Sequence, residues 1–139
     1  MEKQLDSIHI ELNVTAVQAE DIDIWMQGNI EILINGEKPY SEGDIVDAYQ
    51  LLKSMESNGR YFIFSCCCGI PQCSGWKDGI EVIHQENNIK WIDSNYNRIW
   101  LFDKNKIQED LKTINDEVVV FKNFFKEKQI DYVGYGYDL

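Results

Sequence analysis

The sequence is short of basic residues. Thirteen Lys and Arg stand against 24 Asp and Glu, which gives the 139-residue chain a formal net charge of −11. Nucleic-acid binding depends largely on basic side chains that neutralise phosphates, so this balance makes nucleic acid an unlikely partner. The charge instead favours a basic protein as partner, because opposite charges speed encounter. The simpler interpretation is that the negative charge serves solubility alone.

Long apolar runs and secretion signals are also missing. No stretch reaches the roughly 18 apolar residues that a transmembrane helix needs. The start, MEKQLDSIHIELNV, is too polar for a signal peptide. These features predict a soluble, cytoplasmic protein that does not bind membranes. With two prolines, nine glycines and no visible repeat, residues 1–139 are expected to form a single domain.

Alternating apolar residues predict several strands. The first runs over 8–14, and another, over 30–34, ends at Asn35-Gly36, a dipeptide typical of tight hairpin turns. The segment RYFIFSC, residues 60–66, is apolar enough for a central strand. A hairpin follows over 79–93, and one more short strand lies over 97–103.

Two segments have helical spacing instead. In the first, about 42–57, apolar residues that share one face are Ile45, Ala48, Tyr49, Leu52 and Met55, with Ser41 or Asp44 as cap. In the second, about 104–128 and capped by Asp103, the apolar stripe consists of Ile107, Leu111, Ile114, Val118, Phe121 and Phe125. A coiled-coil dimer through this stripe is the alternative, although it would last barely three heptads.

The order of these elements is strands, helix, strands, helix. This order favours an α+β fold, in which a mainly antiparallel sheet of about five to seven strands is covered by the two helices. Trp91 and Phe121 are expected to be buried between the sheet and the last helix.

All four cysteines fall in one loop, FSCCCGIPQCSGW, and the rest of the chain has none. In a reducing compartment, clustered cysteines indicate metal or redox chemistry before structural disulfides. Gly69 and Pro71 force a turn that brings Cys66, Cys68 and Cys73 close together. Thiolates suit Zn²⁺, which prefers a tetrahedron of sulfur and imidazole donors. The pattern therefore predicts a zinc site.

The fourth zinc ligand is less clear from the sequence. His84, on the strand that begins after the loop, is the favoured candidate. Cys67 is the other option, but adjacent residues of a strand point to opposite faces.

Two other interpretations of the loop stay open. Without a metal it could be a buried turn, since free cysteine packs as a small hydrophobe. It could also serve a thiol-dependent enzyme or redox sensor that uses Cys66–Cys73, although no C-x-x-C motif is present and no helix begins directly after the loop. No phosphate-binding or hydrolase motif stands out, so a non-enzymatic function is favoured.

The same region carries a family resemblance. The motifs F-x-C-x-C-G-x-P-x-C-x-G and G-I-x-V-x-H, with a tryptophan on the return strand, match Cys66, Cys68, Gly69, Pro71, Cys73, Gly75, Gly79, Ile80, Val82, His84 and Trp91. Over roughly residues 20–125 the sequence resembles a group of small bacterial proteins of uncharacterised activity. Cys67 falls at a variable place in that pattern. By analogy, small proteins of this sort often inhibit toxins or act as their immunity partners, which implies a binding protein.

Overall fold

The computed structural model describes residues 4–19 and 23–136, and within them the chain has an α+β fold, as predicted. The strands are β1 (Ile8–Ala19), β2 (Asp23–Ile34), β3 (Asp44–Val46), β4 (Gly59–Tyr61), β5 (Phe64–Cys66), β6 (Ile80–His84), β7 (Asn88–Asp93), β8 (Arg98–Asp103) and β9 (Asp131–Gly134). The helices are α1 (Ala48–Ser54) and α2 (Lys104–Glu127). Neither helix is both long and apolar enough to cross a membrane.

The described strands are more numerous than the five to seven expected, and they form three sheets rather than one. These are β1-β2-β9, β3-β5 and β4-β6-β7-β8, and every strand pair except β2-β9 is antiparallel. Bonds between Asp6 and Leu101 connect the start of β1 to β8: each backbone N–H donates to the other residue, at 2.7 and 2.9 Å.

The β1-β2 hairpin follows the sequence pattern closely. Its register is unbroken from the Ile8–Ile34 pair to the Ala19–Asp23 pair. The predicted turn at Asn35-Gly36 comes directly after β2, at the open end of this hairpin, with φ of 52° and 85°, and it leads to a bridge between Ile34 and Glu37. The alternating isoleucines of both strands therefore reach the core together.

The first helix is confirmed, but it is shorter than the predicted range of about 42–57, and neither Ser41 nor Asp44 is its cap. Asp44–Val46 form β3, and α1 begins only at Ala48, where the Asp47 carboxylate accepts the Gln50 N–H at 3.1 Å. Leu51 and Ser54 are the buried residues of this helix. Three members of the expected apolar face are exposed instead, namely Ile45, Tyr49 and Leu52. Pairing of β3 with β5 is the physical reason, because it holds residues 44–46 extended.

The segment RYFIFSC also differs from the single strand expected. It divides into β4, which pairs with β6, and β5, which pairs with β3. The chain therefore passes from the four-stranded sheet to the short β3-β5 ladder just before the cysteines, and the cysteine loop begins at the end of that ladder.

The second helix and its N-terminal cap at Asp103 are confirmed. Ile107, Leu111, Ile114 and Val118 are its buried residues, whereas Phe121 and Phe125 are only partly buried against the core. Trp91 is fully buried, as expected, between Phe64 and Phe102, whose ring centroids lie 6.3 and 5.1 Å from its own.

Candidate metal centre

Backbone hydrogen bonds hold the cysteine loop in a defined shape. Just after β5, the Cys67 N–H donates to the Gly43 carbonyl at 3.1 Å and the Gly69 N–H donates to the Cys66 carbonyl at 2.9 Å. Gly69 has φ of +89°, a backbone conformation that glycine adopts at little cost. A 3₁₀ turn over Pro71–Ser74 then brings Cys73 back toward the end of β5.

A buried tryptophan anchors the loop from below. Trp76 is 2% exposed, and its ring centroid lies 5.2 Å from that of Phe64 on β5. Its indole N–H donates to the Asp44 carboxylate at 3.1 Å, and Asp44 pairs with Cys66 in the β3-β5 ladder. Both ends of the loop are therefore tied to the same small sheet.

The loop gathers three of the four thiols. The Sγ atoms of Cys66, Cys68 and Cys73 all lie within 4.8 Å of one another. Zn–S bonds of about 2.3 Å in a tetrahedral site would place such sulfurs about 3.8 Å apart. These three thiols are thus close enough to hold a metal ion.

The burial of these thiols argues against the buried-turn interpretation. Cys66 is half-buried, and Cys67, Cys68 and Cys73 are exposed. Cysteines that pack as small hydrophobes are among the most buried residues, so this loop does not match that role.

The pKa values of the thiols diverge because the sulfurs interact. The pKa of Cys66 is lowered to about 6, since its sulfur accepts from the Cys68 backbone N–H and from the Ser74 hydroxyl. The pKa of Cys73 is raised to about 11. Hydrogen bonds between its thiol and the sulfurs of Cys68 and Cys66 favour the protonated form, and the negative charge of these two sulfurs opposes loss of the proton. A bound cation would remove this repulsion and allow all three sulfurs to be thiolates.

His84 lies elsewhere. Its Nε2 is 2.7 Å from the Ser54 carbonyl at the end of α1, and its backbone N–H donates to Asn58. The register explains this position. β6 runs antiparallel to β4, with Ile80 opposite Tyr61 and Val82 opposite Gly59, so the strand carries His84 away from Cys66. Within the described residues, His84 does not join the thiol group.

Cys67 is also outside the group. Its backbone is bonded to Gly43, and no described cysteine other than Cys66, Cys68 and Cys73 belongs to the cluster. The charge on the neighbouring Cys66 sulfur raises the pKa of Cys67. Its exposed thiol hydrogen-bonds to the Cys66 sulfur, so Cys67 lies beside the cluster without joining the three mutually close sulfurs.

Sequence reasoning missed three supporting residues of the site: Asp44, Ser74 and Trp76. In the sequence Asp44 is one of two candidate helix caps, with Ser41, and nothing there links it to Trp76, 32 residues away. The one available signal was Ser74, which follows Cys73 directly and so could have been expected near the sulfurs.

Comparison with known proteins adds no assignment. No protein-family model, curated protein or solved structure matches the chain.

Proposed function

We propose that this is a non-enzymatic binding protein in which Cys66, Cys68 and Cys73 hold a structural zinc ion. The observation that carries the proposal is the mutual approach of the three sulfurs to within 4.8 Å. Thiolates are soft ligands, and zinc is one of the ions that they select. The hydrogen bonds to the Cys66 sulfur support this assignment, since groups around a metal site commonly orient and tune its ligands.

The ion would stabilise an exposed corner of the fold. It would join the end of β5, at Cys66, to the 3₁₀ turn that carries Cys73. Because free energy of metal binding to the folded chain adds to its stability, zinc removal should lower the melting temperature.

Metal analysis of freshly purified protein tests this proposal. We expect about one zinc per chain, lost in Cys68→Ser and retained in the matched control Cys67→Ser, which removes the neighbouring thiol outside the cluster. Zinc should also leave on acidification, because protons compete for the thiolates. A metal-free protein whose melting temperature is unaffected by added zinc and by a chelator would contradict the site.

The proposed partner is a basic protein, and the solvent face of α2 is the surface that supports it best. Val120 and Phe124 are 66% and 50% exposed on this helix. Asp116 and Glu117 lie beside Val120, along a shallow surface groove, and neither carboxylate forms a salt bridge with another described residue. Exposed apolar side chains with unpaired acids beside them suit an amphipathic basic helix.

Binding of a lysine-rich amphipathic peptide provides the test. Affinity should fall as salt rises, because salt screens the charges. The variant Asp116→Asn/Glu117→Gln should weaken binding more than the charge-matched control Glu42→Gln/Glu86→Gln, which removes the same charge elsewhere. Equal effects of the two double variants would show that total charge, and not this face, attracts the peptide.

A second candidate function is a thiol-based redox centre, because neighbouring thiols can form a disulfide when an oxidant such as a peroxide accepts two electrons. Proximity of the Cys66, Cys68 and Cys73 sulfurs supports it. The lowered pKa of Cys66, about 6, supports it as well, since the thiolate is the reactive form.

Alkylation of the metal-free protein separates this candidate from the first. A redox role predicts that Cys66 reacts with iodoacetamide at neutral pH much faster than free cysteine does, and that peroxide abolishes the reaction reversibly. Slow and equal labelling of all four cysteines would exclude it.

A further inference from the structure

The thiol cluster supplies three ligands where a tetrahedral ion needs four. Of the described His, Cys, Asp and Glu residues, only Cys66, Cys68 and Cys73 belong to the group. His84 is bonded to Ser54 and Cys67 lies outside the cluster. Zinc with three protein ligands keeps a fourth position for an outside donor.

The position of the cluster makes it accessible from outside. Cys68 and Cys73 are exposed, and the buried anchor of the loop, Trp76, lies on the core side against Phe64. A donor can therefore approach the ion from solvent without any movement of the core.

The charge around the site selects the donor. Three thiolates and one divalent ion leave a net charge of −1. Asp44, opposite Cys66 in the β3-β5 ladder, adds negative charge, as does the chain as a whole, at −11. A fourth thiolate or carboxylate would meet this repulsion, whereas a neutral imidazole would not, and imidazole suits zinc.

We infer that the metal at Cys66, Cys68 and Cys73 has an open fourth position that binds a neutral imidazole from a second molecule. This inference rests on the proposed zinc site. The ion would then bind a second molecule as well as stabilise the loop, since a histidine of a partner protein or a small imidazole compound completes its coordination.

Cobalt-substituted protein tests the inference, because Co²⁺ adopts the zinc geometry and its visible absorption bands respond to each ligand. Titration with free imidazole should shift these bands, saturating at a single imidazole per cobalt. N-acetylcysteine and acetate at the same concentrations should shift them less. A lysine-flanked histidine peptide that saturates at lower concentration than free imidazole indicates a partner protein as source, and equal concentrations indicate a small molecule.

The outcomes separate this inference from the zinc proposal. No cobalt–thiolate absorption at all would overturn the metal site itself. A second result would be that bound cobalt shows no spectral response to imidazole, while its spectrum changes in Cys67→Ser or His84→Gln. This result would show that the chain itself supplies the fourth ligand, so the zinc site would stand and the open position would be overturned. A response to N-acetylcysteine at lower concentration than to imidazole would overturn the choice of a neutral donor.

Discussion

At the scale of single residues, Asp93 is a buried carboxylate of the described chain that needs hydrogen-bond partners. It is fully buried at the end of β7 and accepts from Arg98 Nε at 3.0 Å and from a terminal guanidinium nitrogen at 2.7 Å. The guanidinium also lies 5.0 and 4.8 Å from the ring centroids of Tyr96 and Trp100. A buried charge is tolerated only when it is paired in this way.

Loss of the Asp93 carboxylate should therefore be costly. Asp93→Ala is expected to lower the free energy of unfolding by about 3–5 kcal/mol, because Arg98 loses its carboxylate partner and two Asn95 donors lose their acceptor in a buried site. Chemical denaturation measures the change. The control is Glu81→Ala, which removes the exposed pair with Arg60 and should cost at most about 1 kcal/mol. Similar losses in the two variants would contradict the role of burial.

At the scale of elements, two attachments decide how the outer parts of the fold are held. One is α2, whose buried stripe ends at Val118 while Phe121 stays partly exposed. The other is β9, a short parallel strand whose Gly134 lies against Gly28 of β2. The attachment of α2 depends on a few buried side chains, and the attachment of β9 depends on a position where there is no room for a side chain.

The stripe of α2 should show a graded response to truncation. Ile114→Ala, at a position 1% exposed, should cost about 2–5 kcal/mol. Phe121→Ala should cost less, because part of this ring already contacts water. Val120→Ala, at an exposed position on the same helix, should stay within about 0.5 kcal/mol. Urea denaturation of the three variants tests the order, and a loss for Phe121→Ala above that for Ile114→Ala would contradict it.

Gly134 is required by both conformation and space. Its φ is +95°, and an added Cβ would lie 2.3 Å from the Gly28 carbonyl oxygen. Gly134→Ala should therefore detach β9 and speed amide hydrogen exchange at residues 131–134, whereas Gly43→Ala, where no atom lies within 4 Å of the added Cβ, should not. Unchanged exchange in Gly134→Ala would show that the backbone can shift to accept the methyl group.

At the scale of the whole molecule, the free energy of unfolding should decrease at alkaline pH. Burial raises the pKa of Tyr40, Tyr132 and Tyr135. Above the ordinary tyrosine pKa of about 10, the unfolded chain would lose protons that the folded chain keeps. The unfolded state then binds fewer protons, so the free energy of unfolding falls as pH rises.

Denaturation between neutral pH and pH 11 measures this dependence. We expect a decline above the ordinary tyrosine pKa, which Tyr132→Phe should make shallower because phenylalanine has no proton to lose. Tyr49→Phe, at a 65% exposed position, is the matched control and should keep the parent slope. An identical decline in Tyr132→Phe and the parent would contradict the assignment to buried tyrosines.

Local patterns in the sequence were enough to predict several elements. The Asn35-Gly36 turn, the hairpin over residues 79–93 and helix α2 with its Asp103 cap follow from turn chemistry and periodicity, which act over a few residues. The proximity of Cys66, Cys68 and Cys73 belongs to the same class, because the turn at Gly69 and Pro71 lies between them.

Tertiary structure decided what local pattern could not. Residues 44–46 have helical spacing in the sequence, but they pair with β5 and become a strand, because pairing with a distant segment outweighs a weak local preference. His84 was predicted near the thiols, yet the register of β6 on β4 carries it to Ser54. Register between strands depends on packing across the whole sheet, so the sequence by itself determined the three thiols and only the fold decided that His84 lies apart from them.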